Sequence, residues 1–330
     1  MSVDVRSIEG DLRQLAAGGE GIVYRIISEP RAVYKEYKQR SLADINVDAL
    51  ERLIEFPFRL AADDRAWLLS RTAWPRGTVT RDGRVVGIVM PAIPDHYYAQ
   101  YGLKANPKQV LCDWNHLSFQ SQPLAPHMMS TVPLPGIVER LELVRDLALT
   151  VDLLHRHDVI VGDMSGKNLI WSADPPHVRI IDCGSFRFER QPNVSAHKES
   201  PGWIDPHLRG APTSRSSDVF KLAVAAYRIL WERPSSVVTP ESVQEPTSHE
   251  LPLEFPALVA ASLGSGSRPS AADWIRLIDR VLESFHPFII DSTTGGFEDT
   301  ASTRVRHDCP FCGGDAHEPG DCPFFTQGGP

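Results

Sequence analysis

Asp163, Asn168 and Asp182 are the side chains in this chain whose types and spacing most clearly suggest chemistry. Asp163 and Asn168 stand five apart, just before a short apolar run at 169–171. A second run, 178–181, follows the turn Ser172-Ala173-Asp174-Pro175-Pro176 and ends in Asp182-Cys183-Gly184. Two such runs around a proline turn predict a tight hairpin. That hairpin would hold all three groups along one edge. One carboxylate can accept the proton of a hydroxyl nucleophile. The other two groups can bind a hard cation such as magnesium, which prefers carboxylate and amide oxygen. An acidic surface hairpin is the plainer reading of Asp-x-x-x-x-Asn alone; the Asp-x-Gly after the second strand favours chemistry.

Two further groups of residues suggest ligands. The stretch 15–24 contains Gly18, Gly19 and Gly21 and enters a β-branched strand through Val23; after the turn Glu29-Pro30-Arg31, Ala32-Val33-Tyr34 lead to Lys35. Glycines let backbone approach a phosphate closely and donate N–H groups to it. Taken alone such a loop is an ordinary hairpin turn, but the lysine and the later Asp motifs argue for phosphate. Near the C-terminus, Cys309, Cys312, His317 and Cys322 have the spacing C-x2-C-x4-H-x4-C, with three thiolates and an imidazole for a tetrahedral zinc ion. His307 competes as fourth ligand. Asp315, Glu318 and Asp321 around this cluster would repel phosphates, which favours a structural or protein-docking module over a nucleic-acid one.

The elements that must position these groups read as follows. Residues 46–56 form a helix with Val47, Leu50, Leu53 and Ile54 in a stripe, stopped by Pro57. A hairpin over 78–90, turning at Asp82-Gly83, completes a five-stranded β-rich half. Residues 94–133 are rich in Pro, His and Asn and show little period. Helices follow at 136–155, 217–231 and 271–284, and residues 291–306 read as a flexible linker. The 330 residues allow a large core; a net charge of -8 argues against a general nucleic-acid binder. No apolar run is long enough to span a membrane and the first ten residues are unlike a signal, so a cytoplasmic protein is expected. The clustered cysteines then favour metal over disulfides.

Over residues 10–290 the chain resembles protein kinases, whose catalytic and metal loops read H-R-D-x-x-x-x-N and D-F-G. The resemblance implies an α+β, bilobal fold: N-lobe 1–93, C-lobe 94–290, linker 291–306 and a zinc-knuckle-like module at 307–330. It implies Asp163 as catalytic base, Lys167 as a charge on the γ-phosphate, and Asn168 and Asp182 as magnesium ligands. Lys35 would grip the α/β-phosphates of ATP, Gly18 to Gly21 and Val23 would cover them, and Met90 would stand at the adenine hinge. A helix glutamate would pair with Lys35: Glu51, with Glu55 as the rival. Asp218 would brace the catalytic loop and Arg268 would close the helical lobe. The cysteine-bearing tail makes the chain most similar to bacterial Ser/Thr protein kinases that accompany a von Willebrand A domain protein and a metal-dependent phosphatase.

Five positions depart from the pattern: Ala16, Gly162, Ser165, Cys183 and His207. Gly162 replaces the arginine that usually receives an activation-loop phosphate, so a phosphate on Ser195 or Ser200 is expected to have no preformed receptor there. His207 replaces the glutamate that pairs with the Arg268 position, so that pair must be absent or rebuilt, for instance with Asp205. The reading is an ATP- and magnesium-dependent kinase acting on Ser/Thr of a protein substrate. The alternatives are a nucleotide-binding pseudokinase scaffold and a small-molecule kinase of the aminoglycoside type.

Overall fold

The computed structural model describes residues 2–118, 123–195, 199–208, 210–233, 237–244 and 251–285. Its N-terminal region is built on a six-stranded sheet of β1 (Ser2–Asp4), β2 (Leu12–Ala17), β3 (Gly21–Ile26), β4 (Ala32–Tyr37), β5 (Gly77–Arg81) and β6 (Arg84–Pro91). The order is β1-β5-β6-β4-β3-β2, antiparallel except where β1 pairs with β5. The expected five strands are thus joined by a sixth. A three-residue strand is too short to show a period of two; an open edge of β5 makes it one.

Between β4 and β5 lie three helices: α1 (Gln39–Leu42), α2 (Val47–Glu55) and α3 (Ala62–Arg71). Asn46 caps α2 by accepting a hydrogen bond from Ala49 N at 3.0 Å, which satisfies one of the free amides of the first turn. Of the expected stripe Leu50, Leu53 and Ile54 are buried, with Ala49, against the sheet side of the core, while Val47 in the first turn is exposed. Trp74 lies beneath it and donates its indole N–H to Leu53 O at 2.8 Å.

The C-terminal region begins with a small sheet of β7 (Tyr98–Leu103), β8 (Asn106–Leu111) and β9 (Met128–Ser130), in the order β8-β7-β9. This is the stretch whose pattern is unreadable from sequence: Pro107 and several polar residues lie within half-exposed strands, so no clean alternation survives. Then come α4 (Trp114–Ser118), α5 (Ile137–Arg156), the short strands β10 (Val159–Ile160) and β13 (Arg187–Phe188), the hairpin β11 (Leu169–Ala173) with β12 (Pro176–Ile180), α6 (Arg215–Leu230), α7 (Glu254–Leu263) and α8 (Ala271–Phe285). In α6, Ser214 and Ser217 bond each other's backbone N–H groups in a capping box. One continuous apolar core runs from Leu50 and Leu53 through Leu147, Leu154 and Trp171 to Trp274 and Ile278, so the two regions share their interior.

This is a mixed α+β protein with a β-rich N-terminal region and a helical C-terminal region, compatible with the kinase-like fold expected. Among the described residues no helix is long and apolar enough to cross a membrane. The linker at 291–306 and the tail at 307–330 lie outside the described residues.

Candidate functional site

The hairpin carries the site. In it Leu169 pairs with Ile180, and Ile181 N donates to Asn168 O at 2.8 Å, which fixes Asn168 beside the strand end that leads into Asp182. Asn168 Nδ2 donates to Asp163 O at 2.9 Å and to Asp163 Oδ2 at 3.1 Å. With the amide nitrogen engaged, Asn168 keeps its Oδ1 as the atom able to coordinate a cation. Asp182 holds a left-handed backbone, φ 59 and ψ 53, an arrangement that costs a non-glycine residue on the order of 1–3 kcal/mol and that gathers at functional sites.

The loop before the hairpin is held from below by α6. Asp218, fully buried, accepts from Val161 N at 2.8 Å, Gly162 N at 3.0 Å and His155 Nε2 at 3.0 Å. Lys221, also fully buried, donates to Gly162 O and pairs with Glu199. Gly162 adopts φ 78, the region a glycine enters without strain. Trp114 N adds a bond to Gly166 O at 3.0 Å. A loop pinned at this many backbone atoms presents Asp163 at a fixed place.

Asp163 meets a second segment as well. Ser200 N donates to its Oδ1 at 3.0 Å, and the Ser200 hydroxyl lies 3.4 Å from Oδ2. That segment is docked through Trp203, which is buried under the Arg228 guanidinium at 4.4 Å, and through Asp205. Asp205 pairs with Arg268 through both oxygens, and both side chains are almost fully buried. The ion pair missing at the exposed His207 is therefore rebuilt two residues earlier.

Lys35 reaches the same edge from β4, where it lies directly across from Val23 of β3. Its ammonium is 2.5 Å from Asp182 Oδ1 and 3.6 Å from Glu20 Oε2. Burial pulls its pKa down, but the Asp182 charge and hydrogen bond, with Tyr37 and Glu20, outweigh this and hold it above the ordinary lysine value. Cys183 points into the core, and burial pushes its thiol far above the usual range, so it acts as packing.

The other expected residues are placed unevenly. Gly18, Gly19 and Gly21 line the β2–β3 turn and Met90 lies on β6 opposite Val33, where the chain leaves the sheet. Lys167 is exposed beside Asn168. Glu51 does not join the site: it is on the exposed side of α2, while Glu55 pairs with Arg59 at 3.1 Å. The stripe of α2 already fills the inward face with Leu50 and Leu53, leaving the glutamates outside. Glu20 is a contact to the site that the residue pattern alone does not single out, its one signal being an acid between glycines, and Ser200, expected only as a phosphorylation position, contacts Asp163. The four zinc candidates lie outside the described residues, and among the described residues no three His, Cys, Asp or Glu groups cluster to hold a metal unaided. A magnesium ion here would need phosphate oxygens beside Asn168 and Asp182, which is the usual habit of that ion.

The glycines differ in how much they are needed. A Cβ on Gly21 would be 2.3 Å from Glu36 O, a backbone atom that cannot yield without opening the β3–β4 ladder. A Cβ on Gly18 would meet Gly21 O at 3.9 Å, an ordinary contact. Gly21→Ala is expected to destabilise the protein by about 1–3 kcal/mol. Gly18→Ala should stay within about 0.5 kcal/mol. Urea unfolding of the two variants checks the difference.

No family model matches the chain. A curated protein named "Probable serine/threonine-protein kinase 2", from Plasmodium falciparum (isolate K1 / Thailand), is 29% identical over 90 residues, which is 26% of this chain and 18% of that protein. The match thus covers less than a fifth of that relative's length. With that protein the chain shares a distant, partial similarity to a serine/threonine kinase.

Proposed function

We propose that the protein transfers the γ-phosphate of ATP to a hydroxyl of a protein substrate, with magnesium. The observation that carries this reading is the convergence on one edge of Lys35, Asp182, Asn168 and Asp163, from three separate segments and linked by hydrogen bonds. Asp163 orients the substrate hydroxyl and takes its proton as the oxygen bonds to phosphorus, while the bond to the β-phosphate oxygen breaks and ADP leaves. Lys35 leaves Asp182 for the α/β-phosphates, and the turn at Gly18 to Gly21 covers them. Asn168 and Asp182 would hold the cation, which would supply charge neutralisation to the phosphates. Lys167, exposed beside Asn168, supplies positive charge to the transferred group.

The docked segment at 199–205 favours a peptide over a small molecule as acceptor, since Ser200 lies where a substrate would meet Asp163. Incubation of the purified chain with labelled ATP, magnesium and generic protein substrates tests this. Label on protein supports the reading; label only on aminoglycosides or choline would turn it to a small-molecule kinase. Nucleotide binding without transfer would make it a pseudokinase scaffold.

We also propose one zinc ion on Cys309, Cys312, His317 and Cys322, in a module that docks partners such as a von Willebrand A domain protein or a metal-dependent phosphatase. Elemental analysis should find one zinc per chain. Chelation should abolish such docking while phosphotransfer to a generic substrate persists, because the lobes have their own core. Absence of zinc from protein purified without chelator refutes the site.

A further inference from the structure

Lys35 is a buried cation, 7% exposed, and a buried ammonium needs an anionic partner that stays with it. Among the described residues its carboxylate partners are Asp182 and Glu20. A cation on Asp182 would compete with Lys35 for that carboxylate, so a second counter-charge is needed to keep Lys35 in place during nucleotide binding. The helix glutamates are turned away: Glu51 is exposed and Glu55 is engaged with Arg59. Glu20 is different. Its backbone is tethered by Lys38 N donating to Glu20 O at 2.8 Å. The two residues before it are fixed by Lys38 Nζ on Gly18 O at 2.6 Å and Arg40 on Gly19 O at 2.7 Å. Three consecutive loop residues are thus tied to the segment that follows β4.

From this we infer that Glu20, in the glycine turn, is the positioning residue for Lys35, taking the place that a helix glutamate would otherwise hold. The inference rests on the proposed phosphotransfer reading and gives it a chain-specific form. Closure of the turn over phosphates and orientation of the phosphate-binding lysine become a single event, because one residue belongs to both. When Asp182 turns to the cation, Glu20 remains as the counter-charge that holds Lys35 extended. Without Glu20, Lys35 stays on Asp182 and competes with magnesium for it.

The test uses the full chain and the variants Glu20→Gln, Glu20→Asp and Glu51→Gln. Glu20→Gln should raise KM for ATP about two- to fivefold, in the range of one partly exposed ion pair. It should also shift the magnesium dependence to higher concentration, which a merely structural loop residue would not do. Glu20→Asp should recover part of both, and Glu51→Gln should match the wild type. In a Lys35→Met background, Glu20→Gln should have no further effect on the affinity for a fluorescent ATP analogue, since the interaction it removes is already gone. Equal effects in both backgrounds, or a loss in Glu51→Gln with none in Glu20→Gln, would overturn the inference. Labelling of Lys35 by an amine-reactive reagent, read by mass spectrometry, is independent of activity. It should rise severalfold when Glu20→Gln is added to Asp182→Asn, where Glu20 is the carboxylate left beside Lys35 among the described residues, and unchanged labelling there would count against the pair. If the wild type neither binds nor turns over ATP, the phosphotransfer reading fails, and the labelling result still decides whether Glu20 holds Lys35.

Discussion

Asp163→Asn is expected to lower kcat about 10²–10⁴-fold, the contribution of a positioned general base, while leaving nucleotide affinity nearly unchanged. The amide keeps one oxygen to accept from Ser200 N, and Asn168 Nδ2 keeps its bond to the backbone O of residue 163, so the loop is held although the second carboxylate oxygen, and with it the proton acceptor, is lost. Asp182→Asn should also abolish transfer, but through the cation: one charged ligand becomes neutral. Asn tolerates the left-handed backbone at this position and can still accept from Lys35, so the fold should be intact. The two variants are told apart by magnesium titration, in which Asp182→Asn loses the response and Asp163→Asn keeps it. Wild-type rates in either variant would remove the site assignment.

The second large effect concerns stability. Asp205 and Arg268 form a bidentate pair with side chains only 2% and 4% exposed, and Arg268 also donates to Gly264 O and Ser216 O at 2.9 Å each. Asp205→Ala removes the counter-charge and leaves a buried guanidinium with neutral acceptors only. Breaking a buried pair from one side costs about 3–5 kcal/mol. The double variant Asp205→Leu with Arg268→Met should be less destabilised than Asp205→Ala, because no orphan charge remains. Urea unfolding of the three proteins measures this. Since Asp205 helps to dock the segment carrying Ser200, Asp205→Ala should also weaken the Ser200 contact to Asp163. If Asp205→Ala unfolds like the wild type, the pair contributes nothing and the docking of that segment rests on Trp203 and Arg228.

Much of the local architecture is legible from residue pattern. The stripe of α2, the long apolar face of α5 and the two runs of β11 and β12 are periodic over enough residues to announce themselves, and Pro57 and Asn46 mark the ends of α2. Other elements carry no such signal. The β7–β9 sheet is half-exposed on both faces, α4 has only five residues, and β1 exists because β5 offers it an edge. For such pieces, contact with the rest of the molecule supplies the stability that propensity lacks.

The same division runs through the site. Residue types and spacing by themselves determined that Asp163, Asn168 and Asp182 share one hairpin edge, because five residues of loop and a tight turn leave little freedom. Pairings between distant segments were decided only by the tertiary structure. Lys35 meets Asp182 across 147 positions of sequence, and Ser200 meets Asp163 across 37. Which carboxylate faces Lys35 depends on the rotation of α2 about its axis. The stripe sets that rotation: burying Leu50 and Leu53 leaves Glu51 in solvent, and the lysine meets Asp182 and the loop residue Glu20 instead. A local pattern specifies which face of an element is apolar; only packing specifies what that face meets, and therefore which charges are left to find one another.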